Sequence, residues 1–89
     1  MAQFLQECFL TADAASLAAF SRTRVEAAAA EASTGGAAVR LERAIFVPVE
    51  ETLFLLWHAD DADAVRDAAQ RAGLDATRIT PALEVGAPV

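Results

Sequence analysis

Residues 52–74 read TLFLLWHADDADAVRDAAQRAGL, and this stretch predicts a strand that runs directly into a helix. Its first half is an unbroken apolar run. Bulky side chains occupy both the odd-numbered and the even-numbered positions, which point to opposite faces of a strand, and this is typical of a central strand covered on both faces. Asp60, Asp61 and Asp63 then crowd a helix start, where carboxylates accept the free N–H groups of the first turn. The helix is expected to begin near Asp61 and to end at Gly73, which adopts a left-handed conformation without a Cβ penalty.

The chain before this stretch predicts a strand and a helix. Residues 2–10, AQFLQECFL, have apolar side chains on both alternating sets, which again indicates an interior strand. An alanine-rich helix is expected to begin at Ala14, with Thr11 and Asp13 as capping candidates. It is expected to end at the STGG sequence of residues 33–36.

A hairpin is predicted to lead into the central strand, and a short strand to follow the second helix. Residues 39–47, VRLERAIFV, alternate in polarity and include Arg43 on the otherwise apolar face. The turn sequence of residues 48–51 joins them to the next strand as an antiparallel hairpin. Residues 78–85 predict a last strand, which Pro81 confines to an edge because proline cannot donate a ladder hydrogen bond. The two faces predicted for the first hairpin strand are Val39, Leu41, Ile45 and Val47 on one, and Arg40, Glu42, Ala44 and Phe46 on the other.

The predicted order of elements is βαββαβ, which indicates an α+β, ferredoxin-like fold. Right-handed crossovers around a central hairpin give one four-stranded antiparallel sheet with two helices on one face. Residues 1–89 are expected to form a single such domain, with residues 86–89 as a tail. The strands of Phe4 and Leu55 are expected to be central and to run parallel to each other. Because both are apolar on both faces, a second copy of the sheet is expected to cover the helix-free face, giving a homodimer of the dimeric α+β barrel type.

Composition excludes several classes of function. The chain has 89 residues, a net charge of −6 and a hydrophobic fraction of 55%. The negative charge argues against nucleic acid, whose binding requires neutralisation of phosphates, and the apolar runs are far shorter than a membrane span needs. A single cysteine excludes an internal disulfide, and no Cys or His spacing resembles a zinc motif. With polar residues interrupting the first apolar segment, the protein is expected to be cytoplasmic.

His58 is the strongest candidate for a functional side chain. It is the only histidine, and it stands at the end of the central strand just before the acidic helix start. If the two central strands are parallel, Glu7 and Cys8 lie at the same height as His58, so His58 and Glu7 are the predicted metal ligands. The alternatives are a structural His58 bonded to Asp60 or Asp61, and a Cys8 that is only a small buried hydrophobe.

Two further residues complete the predicted ligand pocket. A buried Glu7 would need a partner, and Arg43, on the same kind of apolar face, could supply it. Such a pair could be purely structural or could hold a ligand. Trp57 is expected in the core or an interface, or as part of a pocket lining together with Phe46 and Leu56. The three aspartates are explained by helix capping rather than by a cation site.

The sequence resembles a group of small actinobacterial proteins, mostly of unknown function, that includes a nickel-binding protein with a dimeric ferredoxin-like fold. The resemblance rests on FLQE at residues 4–7, R-x-x-FVP-x-x-ET at residues 43–52, RAGL at residues 71–74 and RI at residues 78–79. It implies the same fold, a homodimer and nickel as the metal. The chain departs from the group's pattern at Cys8 and His58, where a basic residue and a glutamate are usual.

Three classes of function remain open at this point. The first is a divalent-metal-binding homodimer with nickel as the expected ion. The second is a small isomerase or cofactor-free oxygenase of the dimeric α+β barrel type, with His58 or Glu7 as a general base. The third is a ligand-binding or assembly module without catalysis, whose second sheet face only pairs two chains.

Overall fold

Four strands and two helices alternate along the chain in the computed structural model, which describes residues 2–11, 13 and 20–86. The elements are β1 (Ala2–Phe9), α1 (Arg22–Ser33), β2 (Val39–Val47), a 3-10 turn (Pro48–Glu50), β3 (Thr52–Ala59), α2 (Ala62–Arg71) and β4 (Ile79–Ala82). The sheet order is β2-β3-β1-β4, and all neighbouring strands are antiparallel. The predicted ferredoxin-like α+β fold is therefore confirmed, and β4, which contains Pro81, is an edge strand.

The two central strands, β1 and β3, run antiparallel, so the expectation that they are parallel is wrong. The connection through α1 makes β1 and β2 parallel, and the hairpin between β2 and β3 reverses the chain. β3 lies between β1 and β2 in the sheet, and because these two strands are parallel to each other, β3 is antiparallel to both. This reversal places the beginning of β1 beside the end of β3, and it changes which side chains can meet.

Both central strands bury alternate side chains against the helices. The helices contribute mostly alanine to this core, so they can approach the sheet closely, while Trp57 and Leu55 are the largest fully buried side chains. Gln6 is also fully buried among these apolar residues. The residues of β1 and β3 on this helix-covered face are Phe4, Gln6, Cys8, Leu53, Leu55, Trp57 and Ala59.

A β-bulge at Glu42 changes the faces of β2. Leu41 pairs with Trp57 and Arg43 pairs with Leu56, so Glu42 is an extra residue between them. The bulge is held by Arg22, whose Nη2 donates to the carbonyl of Glu42 at 3.1 Å. Because one extra residue reverses the alternation that follows it, the predicted faces are wrong beyond Glu42. Ala44 and Phe46 share the core side with Val39 and Leu41, whereas Ile45 and Val47 lie on the other side.

The sheet face that points away from α1 and α2, here called the open face, is largely apolar at its centre. Leu5, Leu56 and Phe54 are half-buried there, and Ile45 is 51% exposed at the β2 edge. Charged and polar residues surround this apolar centre on β1, β2 and β3, namely Gln3, Glu7, Arg40, Glu42, Arg43 and His58.

Helix α1 begins later than the sequence predicts. Ser21 has an extended backbone, and its Oγ accepts a hydrogen bond from the N–H of Arg24 at 3.2 Å, so Ser21 is the N-cap. A continuous helix from Ala14 through Ser21 is therefore wrong at Phe20 and Ser21, and residues 14–19 lie outside the described part of the chain. A serine hydroxyl competes for helical N–H groups and so favours a cap over a helix interior.

Helix α2 has the predicted ends. The Oδ1 of Asp61 accepts from the N–H of Ala64 at 2.8 Å, and Gly73 has a φ of 76° after the last turn. The N–H of Leu74 returns to the carbonyl of Ala69 at 2.9 Å, which closes a Schellman cap. Within the described ranges, neither helix is long and apolar enough to cross a membrane.

Candidate functional site

His58 lies on the open face near the end of β3, and its partner is Glu42. The Nε2 of His58 is in contact with the Oε2 of Glu42, and the side chains are 20% and 37% exposed. The strand register explains this contact, because Arg40 pairs with His58, and Glu42, two residues further along β2, is a diagonal neighbour of His58 within reach of a long side chain. The sequence-based alternative of a hydrogen bond from His58 to Asp60 or Asp61 is replaced by this pair.

The three aspartates next to His58 have structural roles. Asp61 caps α2, and the Oδ2 of Asp60 accepts from the N–H of Ala38 at 2.9 Å. Asp63 forms an ion pair with Arg66 at 2.8 Å. The interpretation that these carboxylates serve the helix start holds for Asp61, while Asp60 ties the helix start to β2.

Two more polar residues flank His58 across the sheet. In register, Gln3 of β1 lies on one side of it and Arg40 of β2 on the other. Arg40 is exposed, and within the described part of the chain no carboxylate forms an ion pair with it. His58 and Gln3 also line a concave surface of about 590 Å³ together with the β4 edge, where Leu83 is 91% exposed. The imidazole is therefore reachable from solvent.

Glu7 lies at the opposite end of the sheet from His58. His58 is in register with Gln3, four positions before Glu7, which corresponds to about 13 Å along the strand. Glu7 instead faces Arg78, whose Nη2 lies 3.6 Å from its Oε2. The premise that placed His58 and Glu7 at one height was the parallel orientation of β1 and β3, and that premise is wrong.

The suggested Glu7–Arg43 pair does not form either. Arg43 pairs in register with Leu56, on β2 beyond β3, and its side chain is exposed. Glu7 is a partly exposed member of a surface ion pair with Arg78 rather than a buried carboxylate.

Cys8 and Trp57 lie on the covered face and cannot share a pocket with His58. They belong to a buried network centred on Gln6, whose Oε1 accepts from the Nε1 of Trp57 at 2.9 Å. The Nε2 of Gln6 donates to the carbonyl of Asp75 at 2.7 Å and to the Sγ of Cys8 at 3.3 Å. Burial, reinforced by the nearby negative charge of Asp75, raises the pKa of the Cys8 thiol to about 11. Cys8 is thus a neutral, buried thiol, as the alternative interpretation of this residue states.

One chain supplies an incomplete donor set for a metal. His58 and Glu42 offer one imidazole nitrogen and a carboxylate, which suit borderline divalent ions. In residues 2–11, 13 and 20–86, no group of three His, Cys, Asp or Glu side chains is placed to hold a metal ion. A second chain that brought its own His58 and Glu42 to the same place would double the donor set to four.

Glu42 is the site residue that the sequence did not reveal. A signal was present in the hairpin, because counting outward from the paired Val47 and Thr52 brings residues 40–42 opposite residues 57–58. No residue type within residues 40–42 indicates that β2 has a bulge at Glu42.

The comparisons with known proteins bear on the fold. No protein-family model matches the chain, and no curated protein matches it. The crystal structure of SCO4226 from Streptomyces coelicolor A3(2) is similar, with a TM-score of 0.63 and 23% sequence identity. The match covers 99% of this chain and 100% of that chain. This likeness supports the fold over nearly the whole chain.

Proposed function

We propose that two copies of this chain pair through their open faces and that the homodimer binds a divalent metal through His58 and Glu42. The observation that carries the proposal is the contact between these two side chains on an uncovered, apolar sheet face. Nickel is the ion that the family resemblance implies, and an imidazole with a carboxylate suits its borderline character. The predicted ligand His58 is retained, and Glu42 takes the place of Glu7.

The dimer is supported by the composition of the open face. Leu5, Phe54 and Leu56 form an apolar centre on the side of the sheet that faces away from α1 and α2. A domain of this size buries only about 60–65% of its unfolded surface by itself, so a second copy adds apolar burial that one chain lacks. The charges around the centre have both signs, which allows a two-fold arrangement to set basic against acidic groups.

Arg40 distinguishes a bound cation from a bound anion at this site. Its unpaired guanidinium is next to His58 in the sheet, so it repels a cation bound by His58 and Glu42. Replacing Arg40 with Ala should therefore tighten nickel binding several-fold, whereas a ligand of negative charge would bind more weakly to the same variant.

Calorimetric titration with nickel near neutral pH tests the proposal. We expect binding to the wild type and at least about a tenfold loss in both His58→Ala and Glu42→Gln. Glu7→Gln is the matched control, since Glu7 is a carboxylate of the same face at the far end of the sheet. No heat change with the wild type, or equal binding by Glu42→Gln, would contradict the proposed site.

A second candidate is a small enzyme in which His58 acts as a general base oriented by Glu42. The unpaired Arg40 and the concave surface beside His58 favour it, because they suit an anionic substrate. In this case Arg40→Ala would weaken the binding of a small carboxylate such as benzoate and would leave nickel binding absent. The same set of variants thus separates the two functions.

A further inference from the structure

A second cavity lies at the other end of the molecule from His58, on the helix-covered side of the sheet. It has a volume of about 320 Å³ and is bounded by the end of β1, the first turn of α1 and the loop after α2. This volume is at the lower end of the roughly 300–1,000 Å³ of small-molecule sites, which suits a ligand the size of one amino acid. Its apolar wall consists of Phe9, Leu10, Phe20, Leu53 and Leu74.

Two opposite charges also line this cavity, Arg24 and Asp75. Within the described part of the chain, the Arg24 guanidinium has neither a hydrogen bond nor an ion pair, and only its backbone N–H is used, by the Ser21 cap. Asp75 uses one carboxylate oxygen to accept from the N–H of Thr77 at 3.1 Å, and no described cation pairs with it. Arg24 and Asp75 do not pair with each other, so both charges are available to a bound molecule.

Two further described residues of the lining, Gly73 and Cys8, add no charge to the cavity. Gly73 lines the cavity with a φ of +76°, and a Cβ at that position would lie 3.8 Å from the Nη2 of Arg24. A methyl group there would be in ordinary van der Waals contact with the guanidinium. The Cys8 thiol, which also lines the cavity, stays protonated near neutral pH because burial and Asp75 raise its pKa to about 11.

We propose that this cavity binds a free apolar α-amino acid. The carboxylate of the ligand pairs with Arg24, the ammonium group pairs with Asp75, and the side chain packs against the phenylalanine and leucine wall. Arg24 and Asp75 are both exposed to solvent, and a zwitterion pairs with both charges at once, whereas a simple acid or a simple amine pairs with only one of them. The proposal is independent of the metal site, because His58 and Glu42 lie at the opposite end and on the opposite face of the sheet.

The test is a titration of the full chain with L-phenylalanine, followed through backbone amide resonances by NMR. Shifts are expected at Leu10, Leu53 and Leu74 and not at His58. L-Phenylalanine should bind at least tenfold more tightly than 3-phenylpropionate or phenethylamine, each of which lacks one of the two charges. Equal binding of 3-phenylpropionate, or no shifts with L-phenylalanine at millimolar concentration, would overturn the proposal.

Two variants test separately whether Arg24 and Asp75 bind the charged groups of the ligand. Arg24→Gln and Asp75→Asn should each weaken L-phenylalanine binding about tenfold or more. Asp75→Asn keeps an oxygen for the Thr77 N–H and leaves the backbone carbonyl that Gln6 contacts, so the fold should persist. Arg66→Gln is the matched control, because Arg66 is an exposed helix arginine away from the cavity. Unchanged affinity in either charge variant, or an equal loss in the control, would contradict the assignment.

Discussion

Gln6 is the residue that ties the core to the loop after α2. Its amide accepts from the Trp57 indole and donates to the Asp75 carbonyl and to Cys8, and it has no solvent exposure. Such a network is favourable only while every member has a partner, because a buried polar group left alone costs about 1–3 kcal/mol.

Gln6→Leu should therefore lower the free energy of unfolding by about 2–4 kcal/mol, although leucine is the more apolar side chain. Adding Trp57→Phe to Gln6→Leu should cost less than Trp57→Phe costs alone, because the indole N–H that lost its acceptor is then removed. Urea unfolding of the two single variants and the double variant measures this coupling. Strictly additive losses would mean that the Gln6–Trp57 hydrogen bond contributes nothing.

Cys8 gives the protein a stability change at alkaline pH. Its pKa is raised from 9.0 to about 11 in the fold, so the folded state holds a proton that the unfolded state releases above pH 9. The contribution of the Cys8 thiol to the free energy of unfolding is thus complete below pH 9 and falls, by about 1–2 kcal/mol, as pH rises toward 11. The chain has no lysine and no tyrosine, so no other side chain titrates in this range.

Urea unfolding at a series of pH values between 9 and 11 measures this decline. In Cys8→Ala the slope in that range should disappear, whatever the overall loss of stability from the smaller side chain. A slope in Cys8→Ala equal to that of the wild type would show that the thiol is not its source.

Among the elements, α1 starts later than predicted, because Ser21 is its N-cap rather than a residue inside the helix. As the N-cap, it satisfies the N–H of Arg24, and its replacement by alanine should cost about 1 kcal/mol. If the helix instead continued unbroken through position 21, alanine would stabilise it, because alanine is the better helix former. Thr23→Ala, inside the first turn, is the control and should be nearly neutral. Thermal unfolding of both variants decides the sign.

The elements that could be predicted from the sequence are those whose ends are marked by a proline, a capping residue or a glycine. β2 has the predicted bounds of residues 39–47, because its alternating pattern ends at the proline of the hairpin. The ends of α2 follow from Asp61 and Gly73, whose chemistry suits a cap and a left-handed turn. β4 is shorter than residues 78–85 because it pairs with β1 only from Ile79 to Ala82.

The sequence did not show how the strands are arranged relative to one another. The relative direction of β1 and β3 is fixed by the connections rather than by either strand's residues, and the error there separated His58 from Glu7 and Cys8. The bulge at Glu42 depends on contacts with Arg22 and with β3, so alternation alone could not show it. The candidate site changed its carboxylate for these two reasons, while His58 lies, as predicted, near the end of the central strand.

At the scale of the whole molecule, the open face predicts the effect of a charge at its centre. Leu56→Glu should turn the proposed dimer into a folded monomer, because the side chain points away from the helices and its exposed charge would be buried only in the dimer. Val49→Glu is the control, since Val49 is 91% exposed in the turn between β2 and β3. Sedimentation velocity together with circular dichroism measures both properties. A monomeric wild type, or a Leu56→Glu variant that still sediments as a dimer, would remove the open face as the interface.

Anomalous diffraction from crystals grown with nickel tests whether a homodimer of this chain holds a metal through His58 and Glu42. The proposal predicts one anomalous peak next to the imidazole of His58 and the carboxylate of Glu42, with the open faces of two chains packed together. A peak at another place, or no peak in crystals whose nickel concentration exceeds that of the protein, would contradict it.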